Sequence, residues 1–289
     1  MKMESKDWIM FRILLNRFHP KQSDIFLKNM PEGDANNVLN QKLISDDVSK
    51  LLTQPESLIE KIHYSWLLDT FKKIPTSLYP SLLASLPQSH VKGVAKAFDI
   101  PINKANVSPP IKRFLINTLY KQFEKKEILP IEFLPENQLS ILTSFSKQQL
   151  VKLIDYLGLY DLAEEIRHIV EKKLLKNIYS CISLKKQQFL KNCLNQKEKL
   201  VTPRLDLENW NNDSQKLEKI IHKRGLIRLS YALSGKHPDF IWHLIHLLDS
   251  GRGSIVASYY KTEELPGVSQ ALSMQVINVI NFLNKSSKT

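Results

Sequence analysis

Residues 82–123, LLASLPQSHVKGVAKAFDIPINKANVSPPIKRFLINTLYKQF, lie without a gap over residues 141–182, ILTSFSKQQLVKLIDYLGLYDLAEEIRHIVEKKLLKNIYSCI, at an offset of 59 (141 minus 82). Leu82, Leu83, Ser85 and Leu86 fall on Ile141, Leu142, Ser144 and Phe145, while Val91, Val94, Ala95 and Phe98 fall on Leu150, Leu153, Ile154 and Leu157. Past the next loop, Val107 meets Ile166, and Ile111, Leu115, Ile116, Leu119 and Tyr120 meet Val170, Leu174, Leu175, Ile178 and Tyr179. Apolar residues at this spacing mark helices with one buried face. Identities are few, so two unrelated amphipathic patterns are the alternative to an internal repeat. Start signals accompany the pattern: Ser146 with Gln149 forms a capping box, Asp161 with Glu164 a second, and Ser108 precedes a proline at the first helical position. A unit of two or three helices cannot bury its apolar face alone and stacks on a neighbour. The reading is an all-α protein with stacked helical repeats, an architecture that builds surfaces for partners.

Composition agrees. The 289 residues contain 8 Gly and 14 Pro, too few glycines for many hairpin turns, and 43% hydrophobic with 24% charged residues is ordinary for a packed globular chain. This length buries a core without metal or disulfide staples. Lys and Arg outnumber Asp and Glu by 41 to 29, a net charge of +12 that suits nucleic acid, acidic lipid or an acidic protein surface. Cys181 and Cys193 form no CxxC and have no clustered His, which speaks against a disulfide framework or zinc site and for a reducing cytoplasm. No apolar run reaches the roughly 18 residues of a membrane span, and the first ten residues hold no signal-peptide core.

Three parts follow along the chain. Residues 1–75 read as an N-terminal helical part. Trp8, Phe11, Leu15 and Phe18 form one amphipathic helix ending at His19-Pro20, Pro31 to Asn37 a polar loop, and Leu58, Ile59, Ile62, Trp66 and Leu67 a second helix running toward Pro75. Residues 76–200 hold the two repeat units. Residues 195–216 lose the helical period and collect Pro, Asn and Asp, which marks a boundary before a C-terminal domain over 201–289. There, Gly225 interrupts a helix, a second ends near Gly235, His237-Pro238 opens a third, Gly251-Arg252-Gly253 closes it, and a last helix runs from about Val268 to Leu283.

Residues 231–252, YALSGKHPDFIWHLIHLLDSGR, resemble the C-terminal domain of the flagellar rotor switch protein FliG. Ala232, Leu233 and Gly235 stand at the positions of its ALKG motif, Asp239 at an acidic position, and Phe240, Leu244, Ile245 and Leu248 at apolar ones, while Arg252 arrives one residue late. Residues 270–280 are similar to that family's closing amphipathic helix. Where rotor proteins carry acids on a torque helix, this chain has Lys223 and Gly225, so the resemblance implies a scaffold relative rather than a torque generator. Non-flagellar type III secretion machines contain such a relative: the all-helical K component of the sorting platform, which links the inner-membrane ring to the cytosolic pods. The resemblance thereby implies a non-enzymatic adaptor, cytoplasmic and peripheral to the inner membrane through its partners. Those partners are the ring protein's cytosolic domain and the pod protein.

Chemistry-bearing motifs are scarce. His243 and His246 are spaced to share a metal, yet no third ligand or HExxH context joins them. Residues 250–254, SGRGS, lack the strand and lysine of a phosphate loop, and no GxSxG occurs. The expectation is no enzyme and no cofactor. Basic clusters at Lys121–Lys126, Lys172-Lys173 and Lys185-Lys186 sit among Glu124, Glu127 and Glu171, as on a solvated face. Nucleic-acid binding by a basic helical repeat is the alternative function. A membrane-surface helix over 6–18 is disfavoured by Asp7 and a modest basic face. On the third C-terminal helix, Phe240, Leu244, Ile245 and Leu248 share a core stripe, with Trp242, His243 and His246 largely off it. Trp242, Arg252, Tyr259 and Tyr260 are residue types enriched at binding hot spots and are the candidates for partner contact, with core packing as the competing reading.

Overall fold

The computed structural model describes residues 5–19, 21–40, 54–102, 106–124, 128–195, 203–205, 207 and 210–285, and among them contains helices and turns but no strand. The fold is all-α. In chain order the helices are α1 (Ser5–Phe18), α2 (Ser23–Lys28), α3 (Glu32–Leu39), α4 (Gln54–Lys61), α5 (Leu68–Phe71), α6 (Tyr79–Ser85), α7 (Gln88–Phe98) and α8 (Pro109–Phe123). There follow α9 (Lys147–His168), α10 (Lys172–Cys181), α11 (Leu184–Leu194), α12 (Ser214–Leu233), α13 (Pro238–Leu247), α14 (Ser250–Tyr259) and α15 (Val268–Lys285). They gather into two units, Met1–Glu136 with His237–Ser250, and Asn137–Lys236 with Gly251–Thr289. This grouping differs from the division at 75 and 200: the described residues between 203 and 216 lie inside the second unit, and α13 leaves its sequence neighbours for the first.

In the first unit, α4 to α8 surround a core that includes Leu58, Ile59, Phe71, Leu82, Val94, Leu119 and, from α13, Trp242. Polar contacts between distant residues hold α13 there. Leu129 N–H donates to Asp239 Oδ2 at 3.0 Å, His63 N–H to the His246 carbonyl at 2.6 Å, and Trp66 Nε1–H to the Leu248 carbonyl at 2.9 Å. The expected second helix is broken: α4 ends at Lys61 and a 3-10 turn, Tyr64–Trp66, follows. The polar loop expected over 31–37 is instead α3. Pro31 is its N-cap, Glu32 and Asp34 in its first turn favour the positive end of the helix dipole, and Val38 is buried against Trp8 and Leu15 of α1.

In the second unit, α9 is the central element, buried on nearly every side between Tyr156 and Ile166, where its charged Asp161 and Glu165 find partners inside the fold. The Ser146–Gln149 capping box forms as read. Asp161 does not cap a second helix; it lies in mid-α9, where Leu159, Leu162, Ala163 and Ile166 keep the helix buried. The two repeat segments share the break before α7 and α9. They part company after Phe98: α7 stops at Asp99 in a left-handed conformation, while α9 runs on to His168. Ser108 and Pro109 take their expected places at the start of α8.

Gly225 does not interrupt a helix either; α12 runs through it, from Ser214 to Leu233. At Gly235 (φ +80°) the chain turns, with its N–H on the Lys261 carbonyl at 3.0 Å. Gly251, Arg252 and Gly253 lie within α14 rather than closing α13, and α15 spans the range expected for the last helix.

Candidate functional site

α9 and α12 meet residue for residue at a constant offset of 67: Asp155 with His222, Gly158 with Gly225, and Asp161 with Arg228. A constant offset requires the two helices to run in the same direction. The matching pattern stands in the sequence as D-x-x-G-x-x-D over 155–161 and H-x-x-G-x-x-R over 222–228, acid facing base across a shared glycine step. At that step the backbones touch. A Cβ on Gly225 would overlap the Ile154 carbonyl oxygen, and one on Gly158 would lie 2.7 Å from the Ile221 carbonyl carbon.

On one side of the glycines, Arg228 donates from Nε and Nη2 to Asp161 Oδ1 at 3.1 and 2.6 Å and from Nη1 to Gln275 Oε1 at 2.6 Å. The guanidinium lies 5.5 Å from the Tyr160 ring centroid. Both charged side chains are buried, at 3% and 4% exposure, so neither can be left unpaired without a large desolvation cost.

On the other side, His222 Nδ1 is 2.7 Å from Asp155 Oδ1, and Arg252 Nε donates to His222 Nε2 at 2.8 Å. A carboxylate only accepts and an arginine N–H only donates, so the ring carries its proton on Nδ1 and offers Nε2 as acceptor. Lys186 Nζ lies 3.4 Å from Asp155 Oδ2. Burial pushes the Asp155 pKa up, but the His222 hydrogen bond and the Lys186 charge outweigh it and hold the carboxyl below its ordinary range. In a hydrolytic Asp–His pair Nε2 would face a nucleophile; here Arg252 fills that position, and the group acts as a joint between α9, α11, α12 and α14.

Arg252 is therefore tied into the second unit. Tyr259 meets Tyr231 edge-on at 6.1 Å, and Tyr260 donates to the Lys236 carbonyl at 2.8 Å; both rings are half-buried. Trp242 belongs to the first unit and to its core: its Nε1–H donates to Glu124 Oε2 at 2.8 Å and its ring lies 4.1 Å from His246. The expected stripe on α13 is thus corrected. Trp242, His243 and His246 are buried with Phe240 and Leu244, while Ile245 is half-buried, because α13 has neighbours on more than one face.

His243 Nε2 meets the Leu129 carbonyl and His246 Nδ1 the Trp242 carbonyl, both at 2.7 Å, so the pair is engaged separately. Among the described residues no group of three or more His, Cys, Asp or Glu side chains is placed to hold a metal ion, and no helix is long and apolar enough to cross a membrane.

Burial depresses three histidines of the first unit: His90 and His243 fall below their ordinary value and His246 falls to about 4. Each must stay uncharged in the fold yet charges readily when unfolded. Their contribution is fully present above pH 6.5 and is lost as pH falls through each lowered pKa, which for His246 is about 4. For His246 alone the loss at pH 4 amounts to about 3 kcal/mol, because each tenfold drop in proton affinity corresponds to roughly 1.36 kcal/mol. Urea denaturation at pH 7.5, 5.5 and 4.5 checks this: stability falls with pH, and the fall is shallower in His246→Gln. Leu244→Ala is expected to cost roughly 2 to 5 kcal/mol through transfer and cavity terms. Trp242→Ala should lower the melting temperature on the same ground; unchanged melting with lost partner binding would return Trp242 to the surface.

No protein-family model, curated protein or solved structure matches this chain.

Proposed function

We propose that the chain is a non-enzymatic structural adaptor of a bacterial type III secretion sorting platform, bridging the inner-membrane ring and the cytosolic pods. The observation that carries this reading is the run 231–252. α12 ends at Leu233 and the chain turns at Gly235 with φ +80°, His237-Pro238 opens α13, and Phe240, Leu244 and Leu248 are buried, a local pattern in keeping with the resemblance to the rotor switch protein. Two further features support it. The charged groups at the α9–α12 contact are engaged by one another and by Lys186, Arg252 and Gln275. Leu14, Phe18, Ile25, Phe26 and Leu39 are exposed on α1 to α3, the kind of apolar surface that protein partners cover. Pull-down of the full chain with the ring protein's cytosolic domain and with the pod protein tests it. Capture of at least one is expected, and binding to neither rejects the reading.

One observation favours nucleic acid as the second reading. Residues 172–195 carry Lys172, Lys173, Lys176, Lys185, Lys186 and Lys191 and no acid, and all but Lys186 are exposed. Phosphate contacts release counterions, so the logarithm of affinity would fall linearly with that of salt. Tight binding at physiological salt supports this second function, whereas weak, sequence-blind binding lost there leaves charge as its only cause.

A further inference from the structure

A cleft of about 350 Å³ opens in the second unit between α9, α11 and α15. Its floor is aromatic: Phe189 lies 4.9 Å from Phe282 and 5.6 Å from Tyr160. Its rim is polar and comes from two helices. Asn278, Asn281 and Lys285 follow one another at i, i+3 and i+7 on α15, and Asn192 stands on α11. The three asparagines are exposed, and their carboxamides make no hydrogen bond to another of the described residues.

A primary carboxamide carries a C=O and an N–H side by side, the complement of a peptide bond. A row of them bonds an extended main chain whatever its side chains, while aromatic rings beneath take up apolar groups. The size suits a short segment, and Lys285 with the surplus of cations on α11 favours acidic residues in it. A helical ligand would bring no free peptide groups to the asparagines, since its own backbone uses them. We propose that this cleft binds an extended, acidic peptide segment of a partner protein, the asparagines pairing with its backbone. This is a separate site from Trp242 and from the residues around Arg252. Peptide binding here does not depend on which machine the chain serves: failure of the ring and pod pull-downs would leave it standing, and its own failure would leave the adaptor reading standing.

The test is selection from a displayed library of random twelve-residue peptides on the immobilised full chain, followed by titration of synthetic copies of the enriched sequences. Enriched peptides rich in Asp or Glu are expected, with affinity falling at least about tenfold in the triple variant Asn192→Ala, Asn278→Ala, Asn281→Ala. Methylation of a main-chain nitrogen in the peptide should weaken binding comparably. The three positions are exposed, so the variant should melt within a few degrees of the parent; if it does not, Lys285→Glu is used in its place and should weaken acidic peptides by a similar factor. Absence of enrichment, or peptides that bind parent and variants equally, overturns the proposal. So does binding of AMP, or self-association of the chain, that the variants abolish while no peptide is enriched.

Discussion

Gly225→Ala is expected to destabilise the second unit by about 3 kcal/mol or more, although alanine is the better helix former by about 1 kcal/mol. The sign is set by the helix contact. An added Cβ meets the Ile154 carbonyl and comes within 3.1 Å of Gly158 N, and backbone inside a buried helix cannot step aside as a long side chain can. Relief requires α9 and α12 to separate, which opens the packing along both and strains the two polar pairs flanking the glycines. Overpacked cores lose roughly 1–3 kcal/mol when side chains can adjust, and here the obstacle is main chain. In a unit of this size that loss lowers the melting temperature by about 10 °C. Thermal unfolding followed by circular dichroism measures it, and Gly158→Ala should behave alike. A variant as stable as the parent would mean that the two helices do not meet at their glycines.

Arg228→Met is expected to cost about 3–5 kcal/mol, because it strands Asp161 in an apolar interior. The companion variant carries Arg228→Met and Asp161→Leu together. With no charge left to desolvate, it should recover most of the loss, since well-packed apolar substitutes for a buried pair are often neutral or better. Urea denaturation of the single and double variants gives the comparison. A double variant no more stable than Arg228→Met would show that Gln275 and Tyr160, rather than the ion pair, account for the effect. If recovery is complete, the pair's use lies in register: with the Asp155–His222 bond it permits one alignment of α9 on α12 and penalises a slip by one turn.

Much of the local structure was legible in the residues alone. The all-α class, the Ser146–Gln149 cap, the start of α8 at Ser108-Pro109, the break at His237-Pro238 and the extent of α15 depend on interactions within a few residues of one another. Spacing and cap chemistry report those directly. The glycines misled because a lone glycine in a helical pattern has two meanings, interruption or close approach, and which applies depends on what lies opposite. Gly225 has Gly158 opposite it, and the clue was the matched D-x-x-G-x-x-D and H-x-x-G-x-x-R spacing, visible only when two helices 67 residues apart are set side by side. Asp161 misled similarly: next to Glu164 it looks like a cap, but a charge inside the run Leu157 to Ile166 is better explained by a buried partner. The asparagines of α15 also stand at helical spacing, but exposed polar residues at that spacing mark any solvated helix face and do not by themselves point to a site.

The placement of α13 could not be read in this way. Its apolar and aromatic side chains would suit any core, and residues 231–252 carry no sign that the chain crosses from one unit to the other at Lys236-His237. That choice is made by Leu129, His63 and Trp66, more than a hundred residues away in sequence, whose hydrogen bonds to Asp239, His246 and Leu248 exist only once the first unit has formed. Helix formation is governed by neighbours within a turn or two, so composition, caps and period determine it. The division into units is governed by which distant groups satisfy buried polar atoms, and only the folded chain brings those groups together.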